Sequence, residues 1–219
     1  MVHRCINTKI VLLFLCLNCS IVLSQNRFKA EVNTIQKKYT SLWNKNKETI
    51  VVTGSSSIRL WKNLDSLFPN KQIINTGFGG SLSEDLVSFT NELILSYNPS
   101  KVFIYEGDND IAYDKTPKEI LKNLKHIIEK INANNAQTKI VLISAKPSIK
   151  RWHLKKKYLK FNRKLKRLTK KNAQWYYMDV WKPMLVKKNI PKSIFTSDGL
   201  HMNSKGYKIW YLAMKPFMN

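Results

Sequence analysis

The sequence predicts a three-layer α/β/α sandwich, a five-stranded parallel β-sheet with helices on both faces. Three observations carry this. Short β-prone runs recur at Ile50–Thr53, Gln72–Asn75, Lys101–Tyr105, Lys139–Ser144 and Gln174–Met178. Stretches with apolar residues every three or four positions separate them. A turn rich in Gly, Ser, Asn or Asp follows most runs, and strands alternating with helices in this way form parallel sheets covered on both sides. At 219 residues and 43% hydrophobic content the chain suits one domain with a substantial core.

In order, residues 26–47 place Phe28, Val32, Ile35, Tyr39, Leu42 and Trp43 at helical spacing and predict a leading helix. The first strand runs into Gly54-Ser55-Ser56-Ser57, a strand-to-helix turn. Leu60, Trp61, Leu64 and Leu67 then predict a short helix closed by Pro69-Asn70. The second strand ends in Thr76-Gly77-Phe78-Gly79-Gly80-Ser81, and a helix over roughly 82–96 is stopped by Asn98-Pro99. The third strand is almost wholly apolar, as a central parallel strand is, and empties into Glu106-Gly107-Asp108-Asn109-Asp110. Thr116-Pro117-Lys118-Glu119 opens the next helix with a capping-box pattern, and that helix runs to about Ala133. The fourth strand, a basic amphipathic helix within Lys146–Lys171, the fifth strand and a closing helix over Ser204–Met214 complete the chain.

The first 24 residues stand apart. Arg4 and Lys9 precede an apolar run from Ile10 to Leu17, continued by Ile21-Val22-Leu23, the pattern of a secretory signal peptide cut between Ser24 and Gln25. The run is too short and too interrupted for a convincing membrane span, although a retained anchor is the alternative. A secreted or periplasmic mature protein over 25–219 is therefore expected. Cys5, Cys16 and Cys19 all lie in the leader, so the exported chain has no cysteine for disulfides, nucleophilic catalysis or metal ligation. The net charge of +24 loses only Arg4 and Lys9 with the leader. Such an excess attracts anionic surfaces: membrane phosphates, acidic polysaccharide or nucleic acid. The apolar residues of the 146–171 stretch look committed to the core, which favours a solvated basic helix over a dedicated nucleic-acid site.

In an open parallel sheet the loops after successive strands converge on one edge, where ligands bind. Hydrolysing an ester needs a nucleophile, a base, an orienter for the base and donors for the oxyanion. A serine in the first turn supplies the nucleophile, although Ser55–Ser57 suit an ordinary helix cap as well. Of the three histidines after the leader, His126 falls inside a helix and His153 beside a basic cluster. His201 is the candidate base, with Asp198 three residues earlier to fix its tautomer. Gly80 permits close backbone approach and offers an N–H at a helix start, and Asn109 offers a carboxamide N–H. Singly, the glycines read as tight turns, Asn109 as an Asx-type turn and Asp198/His201 as a surface pair.

Taken as ordered blocks, Gly54-Ser55-Ser56-Ser57, Asn75 through Gly80, Gly107-Asp108-Asn109-Asp110 and Asp198-Gly199-Leu200-His201 resemble the motifs of the SGNH (GDSL-type) hydrolases. The resemblance covers almost the whole mature chain. The first block reads Gly-Ser-Ser-Ser where the family's signature is Gly-Asp-Ser-Leu, and the form Gly-Ser-Ser-Ser-Ile-Arg-x-Trp is similar to the platelet-activating-factor acetylhydrolase and lysophospholipase-like esterase branch. The resemblance implies a flavodoxin-like fold and a serine esterase without cofactor or metal. In it Ser56 is nucleophile, Asp198 and His201 complete the triad, and Gly80, Asn109 and the Ser56 amide hold the oxyanion. The implied substrate is a small ester or an acylated lipid or glycan.

Two other readings use the same residues. One is a carbohydrate O-acetyl esterase or acyltransferase; the other is a non-catalytic basic module that grips anionic glycan or lipid. Nucleotide binding is disfavoured, because the dinucleotide fingerprint needs a glycine where Leu82 stands and no Walker lysine follows either glycine loop. A metal hydrolase is poorly supported for want of His-x-x-x-His or clustered Cys and His.

Overall fold

A computed structural model of the chain describes residues 27–218; the expected leader, its cleavage site and the three cysteines lie outside them. Residues 27–42 are helical (α1). Five strands follow, β1 (Thr49–Gly54), β2 (Gln72–Gly77), β3 (Lys101–Tyr105), β4 (Lys139–Ile143) and β5 (Trp175–Met178). The intervening helices are α2 (Ser56–Arg59), α3 (Ser83–Ser88), α4 (Thr90–Leu93), α5 (Asp108–Ala112), α6 (Pro117–Asn134), α7 (Lys155–Thr169) and α8 (Ser204–Met214). The sheet is all parallel in the order β2-β1-β3-β4-β5. The predicted five-stranded, flavodoxin-like sandwich is what forms.

Side chains alternate across the strands, as the pleat requires. Val51, Ile74, Val102, Ile104, Ile140 and Leu142 face one apolar cluster under α1, α3, α6 and α7. Ile50, Val52, Phe103, Tyr105, Val141 and Ile143 face the other, filled by Trp61, Trp210 and Met214 beneath α2 and α8. All five residues of β3 are buried, which is why that strand reads as one apolar run.

Where helices differ from expectation, side chains have taken over backbone hydrogen bonds. The helix expected around 60–67 is a run of turns, and α2 itself ends at Arg59. Asn75 Nδ2 claims the carbonyls of Ile58 (3.0 Å) and Trp61 (3.3 Å), which a continuing helix would have used. The single helix expected over 82–96 is broken into α3, α4 and a 3₁₀ turn at Leu95–Tyr97. There Thr90 Oγ1 donates to the carbonyls of Leu86 (2.8 Å) and Val87 (3.0 Å) at the break. The leading helix stops at 42 rather than 47, because Gln72 exchanges hydrogen bonds with Asn44 N and O and pulls that segment onto the strands. By contrast α6 starts as predicted, with Thr116 and Glu119 capping each other reciprocally.

The order 2-1-3-4-5 places a topological switch point between β1 and β3, where the connections leave in opposite directions and open a crevice at the carboxyl ends. Gly54 ends β1 there with φ +132°, and a Cβ on it would lie 2.0 Å from the Tyr105 carbonyl oxygen of β3. Only glycine fits. Gly54→Ala is therefore expected to cost about 3 kcal/mol or more, by backbone strain and overlap together, measured by urea unfolding of the purified chain.

Candidate active site

The switch point gathers the residues singled out from the sequence. Ser56 opens α2 immediately after β1, and its Oγ lies 3.0 Å from His201 Nε2, across 145 residues of chain. Ser55, its neighbour, is buried and turned the other way, its Oγ accepting from Asn109 Nδ2 at 2.7 Å. The geometry thus brings Ser56, not Ser55, to the imidazole.

His201 is held by a turn that Asp198 organises. Asp198 Oδ1 accepts from Thr196 Oγ1 (2.7 Å), Leu200 N (2.8 Å) and His201 N (2.9 Å), which closes the turn. Its Oδ2 remains for His201 Nδ1, at 2.5 Å. Partial burial works against the charge on Asp198. The Leu200 and His201 amides, the Thr196 hydroxyl and the imidazole outweigh it and hold the carboxyl well below the usual range. With Asp198 ionised, Nδ1 carries the proton and Nε2 is left as acceptor toward Ser56. α8 locks the segment in place. Asn203 caps it by accepting from Lys205 N and Gly206 N, and Tyr207 OH donates to the Ser57 carbonyl at 3.0 Å.

Gly80 sits with φ +77° between β2 and α3, a conformation natural to glycine. Asn109, in the first turn of α5, joins this loop to the serine turn: Nδ2 donates to Ser81 O (2.9 Å) as well as to Ser55 Oγ. Both carboxamide hydrogens are therefore engaged, and one must be shared or redirected to meet a ligand oxygen.

Several neighbours lie outside the predicted site residues. Asp108 is buried, and its carboxylate meets Lys146 Nζ (3.2 Å), Arg151 Nη1 (2.6 Å), Tyr105 OH (2.7 Å) and Tyr158 OH (2.6 Å). Burial alone would raise its pKa, but the two cations and two hydroxyls hold it well below the usual range. Burial and that same charge push both phenols up, so they remain donors. Arg151 and Trp152, in the segment after β4, are both engaged within the protein. Arg151 bridges Asp108 and Asn109, and Trp152 stacks on Trp181 at 6.0 Å beneath Lys155. Phe78 is likewise core, edge-on to Phe28, whereas Tyr113 stays exposed. His126 and His153 lie on the surface. Among the described residues no group of three His, Cys, Asp or Glu is placed to hold a metal ion.

The parallel sandwich thus carries a serine, a histidine and an aspartate hydrogen-bonded in series at its switch point. The chain belongs to the GDSL-like lipase/acylhydrolase family, whose model matches residues 43–209. In sequence it is 26% identical over 201 residues to N-acylneuraminate cytidylyltransferase of Escherichia coli O18:K1:H7, strain RS218 / NMEC. That match covers 87% of this chain but 46% of the other, so the chain spans about half the length of the curated relative it matches. In fold it is similar to a structure from Streptococcus pneumoniae described as a platelet activating factor, with TM-score 0.76, 24% identity and 92% and 99% of the two chains covered. A GDSL-like lipase from Bacteroides thetaiotaomicron superposes with TM-score 0.70 at 22% identity, covering 83% of this chain and 96% of that one. At these identities the two structural likenesses speak for the fold.

Glu106, next to this site, is fully buried. Ser81 Oγ donates to Oε1 at 2.7 Å, and Oε2 meets no partner among the described residues. Burial first, then the Asp110 charge, push its pKa well above the usual value, against the pull of the Ser81 hydrogen bond. A raised folded-state pKa gives stability that is complete below the unfolded value and lost as pH rises toward the folded one. Glu106→Gln mimics the protonated acid and escapes that loss. The stability of this variant relative to wild type should grow from about pH 4.5 upward, by up to about 1.4 kcal/mol per pH unit. Urea unfolding of both proteins at several pH values measures it.

Proposed function

We propose that the protein is a serine esterase or acylhydrolase that cleaves carboxylic esters, with Ser56 as nucleophile and His201 and Asp198 as its base and orienter. The observation that carries this is the hydrogen-bonded series Ser56 Oγ–His201 Nε2, His201 Nδ1–Asp198 Oδ2, at 3.0 and 2.5 Å. Ser56 Oγ attacks the ester carbonyl while Nε2 takes its proton, and Asp198 stabilises the imidazolium. The Ser56 and Gly80 amides and Asn109 Nδ2 take the oxyanion, the last by releasing its bond to Ser55. Collapse expels the alcohol, which receives the proton from Nε2, and water repeats the sequence to free the acid and regenerate Ser56. In this reading residues 1–24 are removed on export and the mature enzyme works outside the cytoplasm on lipid or acetyl esters.

Ser56→Ala is expected to abolish release of p-nitrophenol from p-nitrophenyl acetate, and Asp198→Asn to lower kcat on the order of 10⁴-fold with the fold intact by circular dichroism. Undiminished turnover in Ser56→Ala would remove the serine from the mechanism. Binding of anionic glycan or lipid without any hydrolysis by wild type would favour the non-catalytic module instead. Product analysis on lysophospholipid and acetylated sugar separates lipid hydrolysis from O-acetyl hydrolysis or transfer.

The cationic α7 adds an electrostatic role. It carries eight Lys or Arg among its 15 residues and no Asp or Glu, while Tyr158, Phe161, Leu165 and Leu168 hold its inner face to the core. Each exposed cation near an anionic bilayer contributes about 1 kcal/mol. The protein should therefore sediment with vesicles containing about 30% anionic phospholipid and be released by about 0.5 M salt. Changing Lys156, Lys160, Lys164 and Arg167 together to Gln should weaken binding at least about tenfold and leave hydrolysis of p-nitrophenyl acetate unchanged.

A further inference from the structure

We propose that Arg151 is a positioning residue that fixes and polarises the Asn109 carboxamide, so that its NH₂ end and not its oxygen is the end that can turn to the reacting carbonyl. The inference rests on the reading of Asn109 as an oxyanion donor, and it concerns a residue that the motif blocks do not contain. Arg151 lies in the β4–α7 loop, with only 15% of its side chain exposed. Its two arms are divided: Nη1 donates to Asp108 Oδ1 at 2.6 Å, and Nη2 donates to Asn109 Oδ1 at 2.9 Å. A guanidinium only donates, so the end of the carboxamide that meets it must be oxygen. A flipped Asn109 would press its NH₂ against the cation and its oxygen against the Ser81 carbonyl. The charge therefore selects one of two otherwise similar amide orientations, the one with Nδ2 toward Ser55 Oγ and Ser81 O.

A cation on Oδ1 also draws electron density from the carboxamide nitrogen and makes its hydrogens stronger donors, as polarised hydrogen-bond chains do. The arrangement asks for arginine in particular. One planar fork spans two acceptors on adjacent residues, which a single ammonium cannot hold in fixed geometry. Asp108 serves as anchor, since Lys146, Tyr105 and Tyr158 already pin its carboxylate from the other sides. The chain thus reads Asp108, Arg151, Asn109, then the carbonyl oxygen of the substrate.

Kinetics of the full chain on p-nitrophenyl acetate test this with Arg151→Met, Arg151→Lys, Asn109→Ala and the double variant Arg151→Met/Asn109→Ala. Arg151→Met should lower kcat about 10- to 100-fold, with KM changed less than about threefold, as loss of an aimed oxyanion donor does. Arg151→Lys, which keeps a cation beside Asp108, should regain the wild-type melting temperature but not the wild-type kcat. On the Asn109→Ala background Arg151→Met should cost less than about a further twofold, because its route of action is already gone. Equal losses on both backgrounds, or full rescue of kcat by lysine, overturn the proposal and leave Arg151 a structural counter-ion. If Arg151→Met does not fold, the lysine variant and its cycle with Asn109→Ala carry the same test. A second readout is independent of turnover. The Asn109 side-chain amide NMR signals, assigned by their loss in Asn109→Ala, should be protected from exchange in wild type and exposed in the Arg151 variants. Unchanged protection overturns the proposal, whereas an inert wild-type protein with the expected amide behaviour would sink the esterase reading alone.

Discussion

The site depends on how closely β1 and β3 approach where both strands end. Gly54 lies against the Tyr105 carbonyl with no room for a side chain, and Ser55 N donates to that same carbonyl at 3.2 Å. On the other flank Phe78 N donates to Gly54 O at 2.9 Å, so the β2 loop is pinned to the same residue. Three loops are thereby brought within one side chain's length of each other before any catalytic group is considered. The hydroxyl of Ser56, the Gly80 loop and the Asn109 carboxamide inherit their positions from this contact. A larger residue at 54 would separate them even if each loop kept its own shape.

Two acids two positions apart show how the site sets charge by partners rather than by residue type. Asp108 is buried but receives two cations and two phenolic hydroxyls, which favour the ionised form. Glu106 is just as buried and receives one hydroxyl, from Ser81, with anionic neighbours around it, which favours the neutral form. The ionised one can hold Arg151 in place; the other sits under Ser81, where burial and anionic neighbours favour its neutral form. Asp198 solves the same problem at the surface, through amide and hydroxyl donors instead of cations.

What could be seen in the linear chain divides along physical lines. The strands were legible because a parallel sheet covered on both faces needs apolar residues at nearly every position, as in Lys101–Tyr105. α6 and α8 were legible because their caps are local: Thr116 with Glu119, and Asn203 with the two amides that follow it. The helices misread at 60–67 and 82–96 have sound periodicity but lose their backbone carbonyls to Asn75 and Thr90, one of them from a distant strand. Periodicity cannot register such competition. At the site, Ser56, Gly80, Asn109, Asp198 and His201 stood out because each lies in a short motif beside a turn. Asp108 was visible only as a letter within Gly107-Asp108-Asn109-Asp110, and Arg151 as one cation in a basic run. Their pairing exists only once β4 is laid beside β3.

The segment after β4 is consequently more than a connection into α7. Lys146 and Arg151 reach from it to Asp108, while Lys150 N donates to the Gly199 carbonyl at 3.0 Å in the turn that holds His201. Ile149 fills the space beside Gly199, where a Cβ would come within 3.2 Å of it. One short stretch therefore braces the Asn109 side of the crevice with charge and the His201 side with a backbone hydrogen bond and an apolar contact. These two sides come from segments about 90 residues apart in the chain. A brace shared by both ties the Asn109 loop to the His201 turn, so that a group bound between them would meet both in a fixed geometry.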